Sequence, residues 1–236
     1  MALLTLAATG TATGATQGKY ESLTLLGVLL RIDNDSLLAI ADGVNGILAV
    51  FTGKSNIRVR VSRSGTSLSF NAQDDNEGTT VFTTVARASL TAGAFITVSF
   101  FRRTGDGTVV ASEVIIRQAG TTLDSGTSTL VLGAPATGAG TGAFTIGGAQ
   151  AFVLDAAYVY DRRITVSDHD TEPTTGSSGI VGMYPIAETS GSTTADAISG
   201  GTALTLTSAT LGAGGNWDNS GGGGASICAL RRRRAA

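Results

Sequence analysis

Apolar positions in this chain come in short runs with a period of two, separated by clusters of Gly, Asn, Asp and Ser. That spacing predicts strands joined by tight turns. Residues 56–61 (NIRVRV) show the alternation most cleanly, with Ile57, Val59 and Val61 on one face and Arg58 and Arg60 on the other. Their expected partner is 67–72, followed by the acidic loop Asp74-Asp75-Asn76-Glu77-Gly78. Residues 79–86, 94–102 and 108–117 read as further strands, the last entered through an Asp106-Gly107 turn. Upstream, 20–32 reads as a buried strand ending in the turn Asp33-Asn34-Asp35. Residues 37–41 are expected to pair with 46–51 around Asp42-Gly43, a dipeptide suited to a hairpin. Residues 120–142 are rich in small side chains and carry one short apolar segment, 129–132. The spacing gives about a dozen strands.

The stretch around which the rest is organised is 142–171, GAFTIGGAQAFVLDAAYVYDRRITVSDHDT. It predicts a short strand over 144–146, a Gly-Gly turn, a longer strand over 152–160, and a charged stop at Asp161-Arg162-Arg163. A half-turn of helix is expected over 167–170. The long strand has no plainly polar face, so it should be covered on both sides by other layers, as in a sandwich. After it, 172–179 (EPTTGSSG) reads as a linker, 180–186 as a strand, 188–201 as a polar loop and 203–207 as a strand.

Composition sharpens this picture. With 14% charged and 42% hydrophobic residues and 33 glycines, the 236-residue chain favours many short strands over helices or disorder. Its net charge of −2 creates no field that would draw the body to nucleic acid. A single cysteine, Cys228, cannot form an intrachain disulfide. The apolar run 23–40 is broken by Arg31, Asp33 and Asp35, which argues against a membrane span. The first residues lack the pattern of a signal peptide. The expected setting is therefore a soluble protein made in a reducing cytoplasm.

Two stretches resemble laminin G-like, concanavalin A-type jelly rolls. FTIGGAQAFVLDAAYVYDRRITVSDHD is similar to the closing strands of such a module. IVGMYPIAETSGSTTADAISGGTALTLT, followed by Trp217, is similar to its opening. Here the opening motif follows the closing one, which implies a circularly permuted module, with 172–179 joining the first and last strands as a hairpin. A second module of about fifty residues would hardly bury a core of its own. The fold expected is all-β, a two-sheet antiparallel jelly-roll sandwich over 20–220. Residues 1–19 are expected as an N-terminal arm or a poorly fixed edge strand, and 221–236 as a Gly-rich and Arg-rich tail.

Candidate chemistry is sparse. Glu113, Glu172 and Glu188 each stand alone, so the paired-carboxylate spacing of glycosidases on this fold is missing. The single His169, after a strand end, reads as a solvated turn residue. Asp33-Asn34-Asp35 and Asp74-Asp75-Asn76-Glu77 offer oxygen ligands for calcium but lack EF-hand spacing, and no cofactor is expected otherwise. Tyr184 and Trp217 are the candidate glycan contacts. The pairs Arg58/Arg60, Arg102/Arg103 and Arg162/Arg163 read as solvated faces or as inter-subunit salt bridges. Arg231, Arg232, Arg233 and Arg234, behind four glycines, suit an acidic patch on a neighbour or weak contact with nucleic-acid phosphates. These features, with the resemblance, give the expectation of a non-enzymatic bacteriophage virion protein, a capsid decoration or tail appendage. It would form a homo-oligomer and contact other virion proteins but no membrane. A carbohydrate-binding module for host-surface glycans is the alternative.

Overall fold

The computed structural model describes residues 2–14, 20, 23–51, 57–74, 78–103, 112–128, 143–186, 190–198 and 201–213. In chain order the strands begin with β1 (Ala2–Gly14), β2 (Leu25–Asp33), β3 (Asn45–Phe51), β4 (Ile57–Ser64), β5 (Ser67–Asp74) and β6 (Gly78–Ala86). There follow β7 (Phe95–Arg103), β8 (Ser112–Gln118), β9 (Thr121–Ser128), β10 (Phe144–Gly147) and β11 (Phe152–Tyr160). The last are β12 (Ile180–Tyr184), β13 (Thr193–Thr194) and β14 (Leu204–Ala213). Two five-residue helices interrupt them, α1 (Asn34–Leu38) and α2 (Val166–Asp170). The fold is all-β, and every strand pairing is antiparallel.

The stretch 144–160 is the branch point of the sheet. β1 pairs with β10 from Thr11↔Gly147 to Gly14↔Phe144, and with β11 from Leu4↔Leu154 to Leu6↔Phe152. Residues 7–10 and 148–151 intervene, equal in number, so the register is unbroken and β10–β11 runs as one bent strand. The expected Gly-Gly turn is thus a bend, with Gly147 at φ +86° and Gly148 at φ +112°. On the edge away from β1, β3 pairs with β10 and β2 pairs with β11. Two branches leave from there, β3-β4-β5-β6 and β2-β7-β8-β9. Their far ends meet again: the Thr84 N–H of β6 donates to Asp124 Oδ2 of β9 at 2.9 Å. The sheet thereby nearly closes into a barrel.

The core fills the interior between the branches. Leu26, Val28, Leu30 and Ile32 of β2 face Val59, Val61, Phe70 and Ala72 in one buried cluster. At the branch point the Phe51 and Phe144 rings stack at 4.9 Å between centroids, with Tyr20 edge-on to Phe144 at 5.8 Å and Tyr184 at 5.9 Å. Each such pair adds about 0.5–1.5 kcal/mol beyond the area it buries, so the cluster pins four separate segments together. β12 lies antiparallel on β11, from Ala157↔Tyr184 to Tyr160↔Ile180, so segments near 155 and 183 are neighbours.

Several expectations change. Most of 1–19, expected as an arm or a poorly fixed edge strand, is the 13-residue interior strand β1, flanked by β10 and β11 on one edge and by β14 on the other. Residues 37–41 do not pair with 46–51. The Asp33 carboxylate caps a helix at Ser36 N (3.0 Å), and Asn34 donates to Gln118 Oε1 (2.6 Å) and Thr91 O (2.8 Å), which holds Asn34–Leu38 helical. Residues Thr121–Ser128 form a full strand that the small, polar sequence did not announce. The segment 129–132, the acidic residues 75–77 and the tail 221–236 lie outside the described residues.

Candidate functional site

The polar residues concentrate on the outer face of β11-β2-β7-β8, beneath the chain that runs from Asp161 through α2 to Pro173. β11 is buried on both faces, by the main core on one and by a smaller outer cluster on the other, and it carries a bulge. Leu154 pairs with Ile32 and Ala156 with Arg31, so Asp155 is an extra residue. The bulge inverts the parity of the strand: Leu154, Ala157 and Val159 join the main core, while Ala156, Tyr158 and Tyr160 pack outward with Leu29, Ile164 and Met183. A bulge re-aims the side chain it carries. Here the Asp155 carboxylate meets the Arg31 guanidinium in an ion pair that is closed to solvent on both sides. The guanidinium also lies 4.6 Å from the Phe95 ring centroid. Burial pushes the Asp155 carboxyl up, against the pull of Arg31, and burial likewise raises Glu172, with the Asp155 charge adding to it.

Next to this pair, Arg31 stands opposite Thr97 and Thr97 opposite Arg117. His169 of α2 sits over β7 and is fully buried, a correction to its reading as a solvated turn residue. Its Nδ1 lies 2.8 Å from Thr97 Oγ1 and its Nε2 2.9 Å from Ser99 Oγ. Burial, and then the Arg117 charge, lower its pKa to about 4, against the weaker opposing pull of the Asp170 and Asp168 charges. The ring is therefore neutral at pH 7. Thr97 Oγ1 reaches the Arg117 carbonyl at 3.4 Å, which assigns the proton to Nδ1, donated to Thr97, with Nε2 accepting from Ser99.

Three forked ion pairs fasten the same segment. Arg117 Nε and Nη2 meet Asp170 at 3.2 and 2.7 Å. Arg163 Nε and Nη2 meet Glu113 at 2.8 and 2.5 Å. Arg162 meets Asp168 at 2.7 and 2.6 Å, and Asp168 in turn closes a capping box with Thr165. Burial works to raise Asp168, but Arg162 and Thr165 outweigh it and hold the carboxyl below its ordinary value. Arg162 and Arg163, read as a solvated or inter-subunit pair, are thus intrachain fasteners. Arg102 is buried as well, donating to Leu23 O at 3.0 Å.

No protein-family model matches the chain, and a search of curated proteins brings up no match. The Ser99–His169 contact has the reach of a nucleophile and base, yet the ring's other nitrogen meets a hydroxyl where a carboxylate would orient it. Both residues are closed to solvent. A base that protonates only near pH 4 is also a weak one at neutrality. Among the described residues, no group of three or more His, Cys, Asp and Glu is arranged to hold a metal ion. The first proposed calcium cluster is engaged in structure: Asp33 caps α1, and Asp35 accepts from Gly93 N at 3.1 Å.

Of the predicted contact residues, Tyr184 is fully buried. Its hydroxyl lies 3.0 Å from that of Tyr20, and in this position it offers no ring face to a sugar. Trp217 and Arg231 to Arg234 lie outside the described residues. The structure thus brings together residues that the sequence reading scattered. One signal was present: Asp155 is the lone charge of β11 and Arg31 the one charge inside β2, whose end is Asp33, and two charges set among apolar neighbours are best buried as a pair.

Proposed function

We propose that this chain is a non-enzymatic structural protein of a bacteriophage virion, a decoration or appendage subunit that self-associates through a laminin G-like jelly roll. The phage setting rests on the resemblance of 142–171 and 180–207 and on the Gly/Thr/Ala-rich, weakly charged composition. The observation that carries the building-block reading is the outer edge of β14. One edge of this strand pairs with β1, and β13 covers the other only at Leu204 and Thr205. Beyond the Leu206 N–H, which donates to Ser192 O at 2.8 Å, that edge has no strand partner among the described residues. It carries no charge and no proline, the usual guards against edge pairing. Two copies placed antiparallel along such an edge form a two-fold interface.

Native mass spectrometry of the purified full chain tests this. A defined homo-oligomer is expected, and Thr207→Lys with Thr210→Lys should dissociate it, since lysines at these exposed positions would face each other across an antiparallel seam. A monomeric wild type at micromolar concentration, or an oligomer indifferent to both lysines, removes the support for a building block. Saturable binding on a glycan array would favour a carbohydrate-binding module instead.

A further inference from the structure

We infer that residues 161–173 form an acid-released strap, with His169 as its latch. The strap is held to the sheet beneath it almost wholly by polar and charged contacts. His169 rests on the hydroxyls of Thr97 and Ser99, Asp170 grips Arg117, and Arg163 grips Glu113. Its apolar anchors are the single side chains Ile164 and Pro173, both buried. Below it lies the small outer core of Leu29, Tyr158 and Tyr160, separate from the main one. The strap can therefore lift while the barrel stays closed.

Protonation of His169 disrupts this arrangement from within. The neutral ring donates from Nδ1 and accepts at Nε2, whereas the imidazolium must donate from both nitrogens, so Ser99 has to turn its own proton away. The charges acting on the ring are Asp168 and Asp170 on its own helix and Arg117 on β8, and Arg31 on β2 flanks Thr97 from the other side. From β7 the ring meets the hydroxyls of Thr97 and Ser99. A third cation would thus enter a buried row that already holds two guanidinium groups. Asp155 and Asp170 are already engaged with them. Acid also weakens the Arg162–Asp168 fork inside the strap, because protonating that carboxylate turns a charge-assisted pair into an ordinary hydrogen bond. Latch and fork therefore fail in the same direction.

This chain has one histidine, so its imidazole resonances report the latch without ambiguity. The test follows them by NMR from pH 7 to pH 3 on the full-length protein, beside pulsed hydrogen exchange corrected for intrinsic rates. The strap amides are expected to lose protection about tenfold per pH unit between pH 6.5 and pH 4, while β4 and β5 keep theirs. In His169→Gln, whose amide can still donate and accept, the loss should move at least about one pH unit lower. Strap and barrel amides losing protection together, or a strap still closed once the imidazole is protonated, overturns the inference. So does a His169→Gln strap that opens at the wild-type pH. If that variant does not fold, the wild-type comparison of strap with barrel decides alone.

Discussion

Asp155 shows how much a single residue can organise. It is the only charge in β11, and it occupies a bulge, so its carboxylate shifts the strand's parity and meets Arg31 in a dry setting. Buried pairs of this kind are costly to break and cheap to replace, since desolvation largely cancels their attraction. Asp155→Ala should therefore destabilise the fold by about 3–5 kcal/mol, because Arg31 is left as an uncompensated charge. Arg31→Met combined with Asp155→Leu should recover most of that loss. Urea unfolding of the wild type and both variants measures it, and a double variant no better than Asp155→Ala would show that the bulge, not the charge pair, is what matters. At this scale the sequence was partly legible. Both charges stood out against apolar neighbours, but their contact depends on a register shift between strands 124 positions apart. His169 was illegible for a similar reason: what buries it is the covering of β7 by α2, a tertiary event with no local signature.

Elements were read better where one strand face is polar. β4 and β5 pair as their alternation predicts, from Arg58↔Gln73 to Ser64↔Ser67. Reading failed where composition is ambiguous. β1 is Ala, Thr and Gly throughout much of its length, a composition that suits an arm as well as a strand, and only its two neighbours fix it. The joint between β10 and β11 was read as a turn because Gly-Gly usually marks one. It is instead a bend whose geometry needs glycine. Gly147 has φ +86°, and a Cβ there would lie 2.4 Å from Leu6 Cδ1 and 2.9 Å from Gly10 O. Gly147→Ala combines backbone strain with overpacking, which predicts a loss of about 2–4 kcal/mol. Gly43→Ala is the control, since it has a similar φ of +74° but nothing within 4 Å of a Cβ. It should cost only about 1–2 kcal/mol. Equal losses at the two sites, measured by thermal or urea unfolding, would remove the bend from the account.

The whole molecule holds two properties that no local pattern contains: the near-closure of the barrel and its response to acid. Closure rests on the approach of β9 to β6, where a Cβ on Gly126 would fall 2.1 Å from Phe82 O. Gly126→Val should therefore part the seam and raise hydrogen exchange in β6 and β9 before the other strands, and unchanged exchange there would mean the seam does not depend on that contact. The acid response can be worked out with its sign. His169 has its pKa lowered from 6.5 in the unfolded chain to about 4 in the fold. Its contribution is fully present above pH 6.5 and declines as pH falls, because the unfolded chain takes up the proton first. The loss is complete near pH 4 and amounts to roughly 3 kcal/mol at 1.36 kcal/mol per unit. Asp168, lowered in the fold, adds a loss below its unfolded value of 3.8, while Asp155 and Glu172, both raised, act with the opposite sign above theirs. Total stability therefore mixes these effects, but the difference between wild type and His169→Gln cancels the carboxylates that the substitution leaves undisturbed. That difference, from urea unfolding at pH 7 and pH 4, should shift against the wild type by roughly 3 kcal/mol. A difference that stays flat across the window would mean that the buried imidazole takes up its proton as readily as an exposed one, and the strap would need another latch.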